Sequence, residues 1–277
     1  MTEQLLVDRV ALVTGGGAGI GRAIARSFAA AGADIVIADI VPARCEEVAA
    51  RVRELGRAAL PVVTDAMATD QVPAMVEAAE KWFGRIDILV NNVGGVAKRP
   101  FLEQSERSWR RHIDLNFVSM LAATSAAVPA MIRGGRGGSI INVSSIEGER
   151  AAPNFAVYAA CKAAMNSFTR SMALELSEHR IRVNSIGPDL IPTAGTMGNL
   201  RHPVDPSAPR VVPAEQEHSA KVRIPLGRPG LEEECGSVAL FLASEMSSYV
   251  TGAIVPVDGG AWASSGWIRR DGKWVLG

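Results

Sequence analysis

The chain has 277 residues, 48% of them hydrophobic, and its 29 basic and 29 acidic side chains give a formal net charge of zero. This length suits one α/β domain, and the dispersed basic residues do not form the cluster expected of a nucleic-acid-binding protein. The cysteines and histidines show neither metal-ligand spacing nor a disulfide framework. We therefore expect a single domain over residues 1–277, located in the cytoplasm, with no metal and no nucleic-acid partner.

One stretch is nearly long enough to cross a membrane. Residues 115–132 contain no charged side chain, and a transmembrane helix needs about 20 apolar residues. The stretch also contains Asn116, Ser125 and Pro129 among many alanines, which favours a buried helix in a soluble protein. The first residues lack the basic and apolar regions of a secretory signal. We expect no membrane partner.

Short β-branched runs alternate with longer helical patterns along the chain. Several of these runs are apolar almost throughout, as in strands that helices cover on both faces. The alternation predicts an α/β, doubly wound Rossmann fold with a seven-stranded parallel sheet. The predicted strands are 10–14, 35–39, 59–64, 86–91, 139–143, 182–186 and 253–257, and the helices between them include 20–31 and 72–83.

The first predicted strand runs directly into the glycine-rich sequence TGGGAGIG at residues 14–21, and a helical pattern follows. Glycines allow a tight turn in which backbone N–H groups approach a pyrophosphate at the N-terminus of the helix. The position between a strand and a helix is the context that supports dinucleotide binding, although a flexible loop is the alternative.

Asp39 ends the second predicted strand and follows the glycine-rich turn. A carboxylate there accepts hydrogen bonds from the adenosine ribose and repels a 2′-phosphate. Ala18 and Ile40 offer no positive charge to such a phosphate, and Arg44 is expected on the solvent face of the next helix. We therefore expect NAD as the cofactor, with NADP less favoured.

Tyr158 and Lys162 are four residues apart and so share one face of a helix. A free tyrosine has a pKa of about 10, and a lysine cation nearby stabilises the phenolate and lowers that pKa. Ser145 precedes the tyrosine at the end of a predicted strand, where ligands bind in doubly wound folds. Its hydroxyl can hold a carbonyl oxygen while Tyr158 donates or accepts a proton, and the amide of Asn116 can organise water behind the lysine.

Taken together, these motifs resemble the short-chain dehydrogenase/reductase family from Arg9 to about Trp262. Several motifs at family spacing are highly specific in combination. They are TGGGAGIG at 14–21, Asp65 after the third strand, NNVG at 91–94, Asn116, Ser145, Tyr158, Lys162, Asn184, Pro188, Thr193 and VDGG at 257–260.

The resemblance implies a role for each of these positions. Tyr158 would be the general acid/base, Ser145 would polarise the substrate oxygen, Lys162 would bind ribose hydroxyls and tune the tyrosine, and Asn116 would support a proton relay through water. In the cofactor site, Asp65 would contact adenine, Asn91 would fix the sheet below the cofactor and Thr193 would reach the nicotinamide amide. The implied cofactor-binding residues are Gly15, Gly17, Gly19, Ile20, Gly21, Asp39, Asp65, Asn91, Gly94, Tyr158, Lys162, Pro188 and Thr193.

Two carboxylates near this site have two possible roles each. Asp189 follows Pro188 where the family usually has glycine, and it either contacts the substrate or faces water at the start of a loop. Glu147, two residues after Ser145, is either an exposed loop carboxylate or a pocket residue that binds a substrate hydroxyl. Both residues are therefore candidate substrate contacts.

Two segments differ from a compact α/β pattern. Residues 188–225 collect prolines and glycines with weak periodicity, which predicts an extended irregular loop; it matches the family's substrate-binding loop, with a disordered insertion as the alternative. The tail at 261–277 holds three of the five tryptophans. Because solvated tails rarely hold so many aromatic residues, we expect it to pack across a subunit boundary or beside the pocket.

The main interpretation is an NAD-dependent oxidoreductase that interconverts a secondary alcohol and a ketone. The large loop favours a bulky hydrophobic or CoA-linked small-molecule substrate, such as a hydroxysteroid or a 3-hydroxyacyl thioester. A 3-oxoacyl-carrier-protein reductase is an alternative. Asp39 disfavours it because it disfavours NADPH, and Leu174 disfavours it because such reductases often carry a basic contact for the carrier protein at that position. A sugar or polyol dehydrogenase is another, supported by Glu147 and Asp189.

Two further expectations concern activity and assembly. A catalytically silent dinucleotide-binding regulator is disfavoured by the complete set of serine, tyrosine and lysine. Family members commonly form homotetramers through the helices that carry Asn116 and Tyr158, and we expect a homotetramer here. The apolar side of the latter helix, with Met165, Phe168 and Met172, is compatible with such an interface and equally with a monomer's core.

Overall fold

A seven-stranded parallel sheet forms the centre of the computed structural model, which describes residues 4–199, 201–205 and 212–277. All seven predicted strands are confirmed, and their ends differ from the prediction by at most two residues. The strands are β1 (Val10–Thr14), β2 (Asp34–Asp39), β3 (Ala59–Val63), β4 (Ile88–Asn91), β5 (Gly138–Val143), β6 (Ile181–Pro188) and β7 (Ile254–Val257). They lie in the order β3-β2-β1-β4-β5-β6-β7, so the predicted Rossmann fold is confirmed.

Helices cover both faces of the sheet, and an antiparallel hairpin follows it. The α-helices in the described residues are α1 (Gly19–Ala30), α2 (Pro42–Glu54), α3 (Val72–Phe83), α4 (Glu106–Ile113), α5 (Ser119–Gly134), α6 (Ala156–Glu175), α7 (Ala214–Arg223) and α8 (Glu232–Ala243). The hairpin in the tail consists of β8 (Trp267–Arg270) and β9 (Lys273–Leu276).

The core consists of two layers, one on each face of the sheet. Every residue of β1 is buried, as expected for a strand between two helical layers. One layer includes Ile24 and Phe28 of α1 with Val48 of α2, and the other includes Met75 of α3 with Met131 of α5. Each large side chain that is fully buried stabilises the fold by roughly 1.5–3 kcal/mol.

The uncharged stretch forms α5, whose inner face carries Ala123, Ala127 and Met131 into the core. With the preceding turns it belongs to a helical run, Glu106–Gly134, that is long and apolar enough to cross a membrane by composition, although core helices of soluble proteins meet the same criterion. The run is not a uniform α-helix, because Asp114–Val118 forms a π-helical turn. Such turns are frequent at functional sites.

The prediction of an irregular loop throughout residues 188–225 is wrong in part, since α7 lies within it. Ala220 is the buried residue of α7, so the helix has almost no apolar face and its sequence shows little periodicity. The described residues between Pro188 and α7 are irregular. Residues 200 and 206–211, also within the predicted loop, lie outside the described residues.

The sheet forms a crevice where its strand order reverses. β1 pairs with β2 on one side and with β4 on the other. Connections leave these neighbouring strands toward opposite faces, which opens a crevice at their carboxyl ends, the usual ligand position in this architecture. The glycine-rich turn lies there, and Gly15 and Gly19 have φ values of +60° and +55°, which glycine adopts without strain.

Gly21→Ala is expected to lower the free energy of unfolding by about 1–3 kcal/mol. A Cβ atom at Gly21 would overlap the backbone carbonyl of Gly15, which cannot move without distorting the turn. Gly134→Ala is the control, because a Cβ there meets no atom within 4 Å. Urea denaturation of both variants tests this, and equal stability of the two would contradict the packing of the turn.

Candidate active site

The predicted site residues converge on the carboxyl ends of β1, β4, β5 and β6. The glycine turn follows β1, Asn91 ends β4, Ser145 follows β5 and Pro188 ends β6. Tyr158 and Lys162 reach the same region from α6. Asp65, after β3, lies farther along the edge, where its Oδ1 accepts a hydrogen bond from the Met67 amide at 3.0 Å.

Asp39 is fixed against the glycine turn. Its carboxylate is buried, and Oδ2 accepts a hydrogen bond from the Gly17 amide at 3.1 Å while Oδ1 accepts one from the Val41 amide at 3.0 Å. A Cβ atom at Gly17 would lie 2.9 Å from the carboxyl carbon of Asp39. The absence of a side chain at position 17 thus lets the carboxylate approach the turn.

The expectation that Arg44 faces solvent is wrong. Arg44 is buried, its Nε donates to the His202 carbonyl at 2.8 Å, and its Nη2 donates to the Asn199 carbonyl and Oδ1 at 2.9 and 3.0 Å. The first turn of α2 lies so close to the glycine turn that a Cβ at Gly17 would be 2.6 Å from the Arg44 Cβ. Arg44 therefore ties the loop after β6 to the glycine turn.

Thr193 lies in the same loop, against the glycine turn. A Cβ atom at Gly19 would lie 3.1 Å from the Thr193 Cβ. Thr193 Oγ1 accepts a hydrogen bond from the Thr196 amide at 3.1 Å, and Thr196 Oγ1 donates to the Thr193 carbonyl at 3.0 Å. These bonds hold the loop across the crevice.

Two consecutive asparagines connect β4 to its surroundings. Asn91 is buried, and its Nδ2 donates to Asn142 Oδ1 at 2.8 Å and to Thr124 Oγ1 at 3.0 Å. Asn92 Nδ2 donates to the carbonyls of Thr14 and Gly15 at 3.1 and 2.9 Å, which fixes the glycine turn to the end of β4. Sequence reasoning did not single out Asn92, although it is the second asparagine of the NNVG motif.

The π-helical turn places Asn116 beside Lys162. Asn116 is fully buried, its Nδ2 donates to the carbonyls of His112 and Gly95 at 2.9 Å each, and its Oδ1 accepts from the Gly95 amide at 2.9 Å. A Cβ atom at Gly94 would lie 3.0 Å from Asn116 Oδ1 and 3.3 Å from Lys162 Nζ. Gly94 therefore leaves room for the two polar groups to approach each other.

Tyr158 and Lys162 are close but have opposite pKa shifts. Lys162 Nζ lies 5.6 Å from the centre of the Tyr158 ring and donates to the Val143 carbonyl at 2.8 Å. Burial raises the pKa of Tyr158 to about 12 against a lowering by its hydrogen bond with Ser145, and burial lowers the pKa of Lys162 to about 8. The expected lowering of the tyrosine pKa by Lys162 is not found: burial of the phenol raises the pKa, and the hydrogen bond with Ser145 is what opposes it.

The two serines after β5 face different neighbours. Ser144 Oγ donates to the Lys162 carbonyl at 3.2 Å, on the side of α6. Ser145 Oγ donates to the Pro188 carbonyl at 3.3 Å and accepts from the Glu147 amide at 3.2 Å. Ser145 is thus the serine that forms a hydrogen bond with Tyr158 and lies beside the residues of β6.

Glu147 and Asp189 are joined by a residue that the sequence did not indicate. Arg150 Nη2 lies 2.9 Å from Glu147 Oε1 and 3.3 Å from Asp189 Oδ1. The Asp189 side chain is only 10% exposed, and its Oδ2 is buried without a hydrogen-bond partner. Burial raises the pKa of Asp189, while Arg150 and Arg223 lower it. Neither carboxylate is a solvated loop residue.

In chemical terms, the crevice brings a neutral phenol, a serine hydroxyl and a buried lysine together with a turn suited to a dinucleotide. At neutral pH the phenol of Tyr158 keeps its proton and can donate it to a carbonyl oxygen. Among the described residues, no group of three or more histidine, cysteine, aspartate or glutamate side chains is arranged to hold a metal ion.

Comparison with known proteins agrees with this geometry. A family model described as enoyl-(acyl carrier protein) reductase matches residues 15–261. A 3-oxoacyl-(acyl-carrier-protein) reductase of Thermotoga maritima is 36% identical over 92% of this chain and 98% of its own, and a 2-dehydro-3-deoxy-D-gluconate 5-dehydrogenase of Escherichia coli is 37% identical over 96% and 97%. The crystal structure of carveol dehydrogenase from Mycobacterium avium in complex with NAD has a TM-score of 0.85 at 30% identity, covering 94% of this chain and 99% of that one.

Lys162→Met is expected to raise the free energy of unfolding at pH 7 by about 2 kcal/mol. Lowering the lysine pKa from 10.5 to about 8 means that burying the charged lysine costs about 3 kcal/mol of stability. The variant avoids this cost but loses the hydrogen bond to the Val143 carbonyl, which is worth about 1 kcal/mol. Between those pH values the unfolded chain holds the proton that the folded chain has released, so wild-type stability rises with pH. The advantage of the variant should therefore disappear as the pH approaches 10.5.

Urea denaturation at several pH values measures this difference. Lys81→Met, at an exposed position of α3, is the matched control and should show no such pH dependence. A Lys162→Met protein that is less stable than the wild type at pH 7, while retaining its fold, would contradict a charge-burial penalty at this position.

Proposed function

Because this chain belongs to the short-chain dehydrogenase/reductase family, we propose that it oxidises a secondary alcohol bearing further hydroxyl groups to a ketone, with NAD as hydride acceptor. The observation that carries the substrate class is the Glu147–Arg150–Asp189 cluster beside Ser145. The side chains of Glu147 and Arg150 are 20% and 28% exposed, so a substrate hydroxyl can form hydrogen bonds with them. Asp189 is closed to solvent at Oδ2, and its Oδ1 holds Arg150 in position.

The cofactor proposal rests on the surroundings of Asp39. The Asp39 carboxylate lies against the glycine turn, because Gly17 has no side chain to keep it away, and in this architecture that is the adenosine end of the cofactor site. Arg44 is the nearby cation that a 2′-phosphate would need, but its guanidinium donates to Asn199 and His202 instead. The NAD complex of carveol dehydrogenase, a structural relative, supports the same choice.

In this proposal the bound cofactor supplies the hydride acceptor, and the side chains move the proton. Ser145 donates a hydrogen bond to the substrate oxygen. During reduction Tyr158 donates its proton to that oxygen; during oxidation it takes the proton of the alcohol while its own proton passes to the neutral amine of Lys162. Lys162, with a pKa of about 8, can exchange a proton near neutral pH. Asn116, with both ends of its amide engaged by backbone groups, holds a fixed orientation beside Lys162 for a water-mediated relay.

The carrier-protein reductase is the second candidate, because the Thermotoga maritima relative bears that name. The position expected to carry a basic contact is occupied by Leu174, whose side chain is exposed and uncharged. The charged cluster beside Ser145 also makes a poor wall for an acyl chain or a steroid, since either would cover Glu147 and Arg150 without offering them a hydrogen bond. The hydroxylated substrate is therefore favoured.

We extend the proposal to organisation, assembly and location. The whole chain would act as one dinucleotide-binding and catalytic domain. In a homotetramer the contact on α6 would use the exposed Leu174 and the partly exposed Phe168, since Met165 is fully buried within the protomer. The three cysteines are free and buried, which suits the reducing cytoplasm.

Ser145→Ala is expected to lower kcat by about 10²- to 10⁴-fold, the range for loss of an acid–base or oxyanion contact. Ser144→Ala removes a hydroxyl of equal size that bonds to the α6 backbone, and it should retain substantial activity. Formation of NADH, followed by absorbance, measures both variants. Equal losses at the two positions would contradict the assignment of Ser145.

The substrate and cofactor are tested together by initial rates on a panel of alditols, aldonic acids, hydroxysteroids and 3-hydroxyacyl-CoA esters, each with NAD or NADP. We expect the polyhydroxylated compounds and NAD to be preferred. Glu147→Gln should lower kcat/KM on them by about 10- to 100-fold, as for a lost hydrogen bond to a charged group, while Asp70→Asn, at an exposed position, should not. Preference for steroids or thioesters would contradict the substrate class, and preference for NADP would contradict the role of Asp39.

A further inference from the structure

A further cleft, distinct from the crevice at the strand ends, opens beside the Glu147–Arg150–Asp189 cluster. It is a cleft of about 620 Å³, walled by Arg150, the end of α7 with Arg223, and tail residues that include Trp262 and Trp267. Small-molecule sites commonly have volumes of about 300–1,000 Å³. The cleft is therefore large enough to hold part of a substrate whose reacting carbon lies at Ser145.

Arg150 connects this cleft to the reacting position. It lines the cleft and bonds through Nη2 to Glu147 and Asp189, and through Nη1 to the Ala261 carbonyl at 3.4 Å. The amide of Glu147 in turn donates to Ser145 Oγ. A substrate held at Ser145 can thus extend past the two carboxylates into the cleft.

The charges that line the cleft are unevenly paired. Arg150 faces two carboxylates, and Glu149 accepts hydrogen bonds from Asn166 and Arg170 at 2.8 and 3.5 Å. Arg223 differs, because its Nε donates to the neutral hydroxyl of Ser219 at 2.9 Å and it forms no ion pair with the described residues. Its two terminal nitrogens are free to bind an anion, and a planar guanidinium matches a carboxylate in a bidentate arrangement.

The charge balance favours one negative charge on the ligand. Glu147 and Asp189 both pair with Arg150, so Arg223 is the arginine of the cleft without an ion-pair partner among the described residues, and Asp189 acts on it only at longer range. A phosphate would bring close to two negative charges at neutral pH and would meet these carboxylates with a single unpaired arginine. A carboxylate brings one negative charge and matches that arginine.

The aromatic wall belongs to the tail. Trp262 and Trp267 are 48% and 47% exposed, so each presents a large apolar surface at the cleft. The matched family model ends at residue 261, one residue before Trp262. The position of these tryptophans places the tryptophan-rich tail beside the pocket, one of the two positions expected from the sequence.

We propose that Arg223 and the tail form a subsite for a substrate carboxylate, so that the enzyme acts on polyhydroxylated carboxylic acids in preference to neutral polyols. Arg223 is then a specificity-determining residue for the distal end of the substrate. This inference rests on the proposed function, in which the alcohol to be oxidised lies at Ser145 and Tyr158.

The test compares matched acids and amides. Initial rates with NAD are measured for C5 to C7 aldonic acids, for the corresponding aldonamides, which keep the carbon skeleton but lack the charge, and for alditols. We expect kcat/KM of the best acid to exceed that of its amide by at least about 10-fold. Arg223→Gln should lower kcat/KM for the acid by about 10- to 100-fold, mainly through KM, and leave the amide unchanged. Arg223→Lys should restore part of the loss.

Lys221→Gln, two residues earlier on α7 at an exposed position outside the cleft, is the matched control and should change neither substrate. Equal kcat/KM for acids and amides, or an equal loss on both in Arg223→Gln, would overturn the carboxylate subsite while leaving the proposed function intact. Absence of turnover on acids, amides and alditols alike would overturn both.

Discussion

A parallel strand that helices bury on both faces can present polar groups to a ligand only where it ends, and this constraint organises the whole molecule. β1 and most of β4 are apolar, and the polar side chains inside β5 and β6, such as Asn142 and Ser185, are fully buried and hydrogen-bonded within the protein. The carboxyl ends of these four strands lie along one edge of the sheet. The glycine turn, Asn92, Ser145 and Asp189 are consequently brought together although they are far apart in sequence. The site lies along one edge of the sheet, and each strand contributes a different side chain to it.

The same burial sets the acid–base chemistry. Removal from water favours the neutral form of both groups, so it raises the pKa of Tyr158 and lowers that of Lys162. The site therefore holds a phenol that keeps its proton beside an amine that loses its proton readily. The charge on Lys162 is tolerated because the Val143 carbonyl and the neighbouring Asn116 face it.

Features that depend on local sequence could be predicted, and features that depend on distant contacts could not. The strands, the glycine turn and the Tyr158–Lys162 pair follow from periodicity and spacing within a few residues. Arg44 was misplaced because its partners, Asn199 and His202, lie more than 150 residues away. Arg150 gave no signal for the same reason, since its meeting with Asp189 depends on the pairing of β5 with β6. α7 was missed because it buries almost no apolar surface.

The features that could be predicted concern proton transfer, and those that could not concern the choice of substrate. Proton transfer needs groups at fixed spacing on rigid elements, and such spacing is visible in the sequence. Substrate choice depends on the loop after β6 and on the tail beyond residue 261, which meet across the cleft through Arg223 and the tryptophans. Because these segments carry little core, they can change without disturbing the sheet. A relative that keeps Ser145, Tyr158 and Lys162 but has a different tail should therefore share the reaction and differ in substrate.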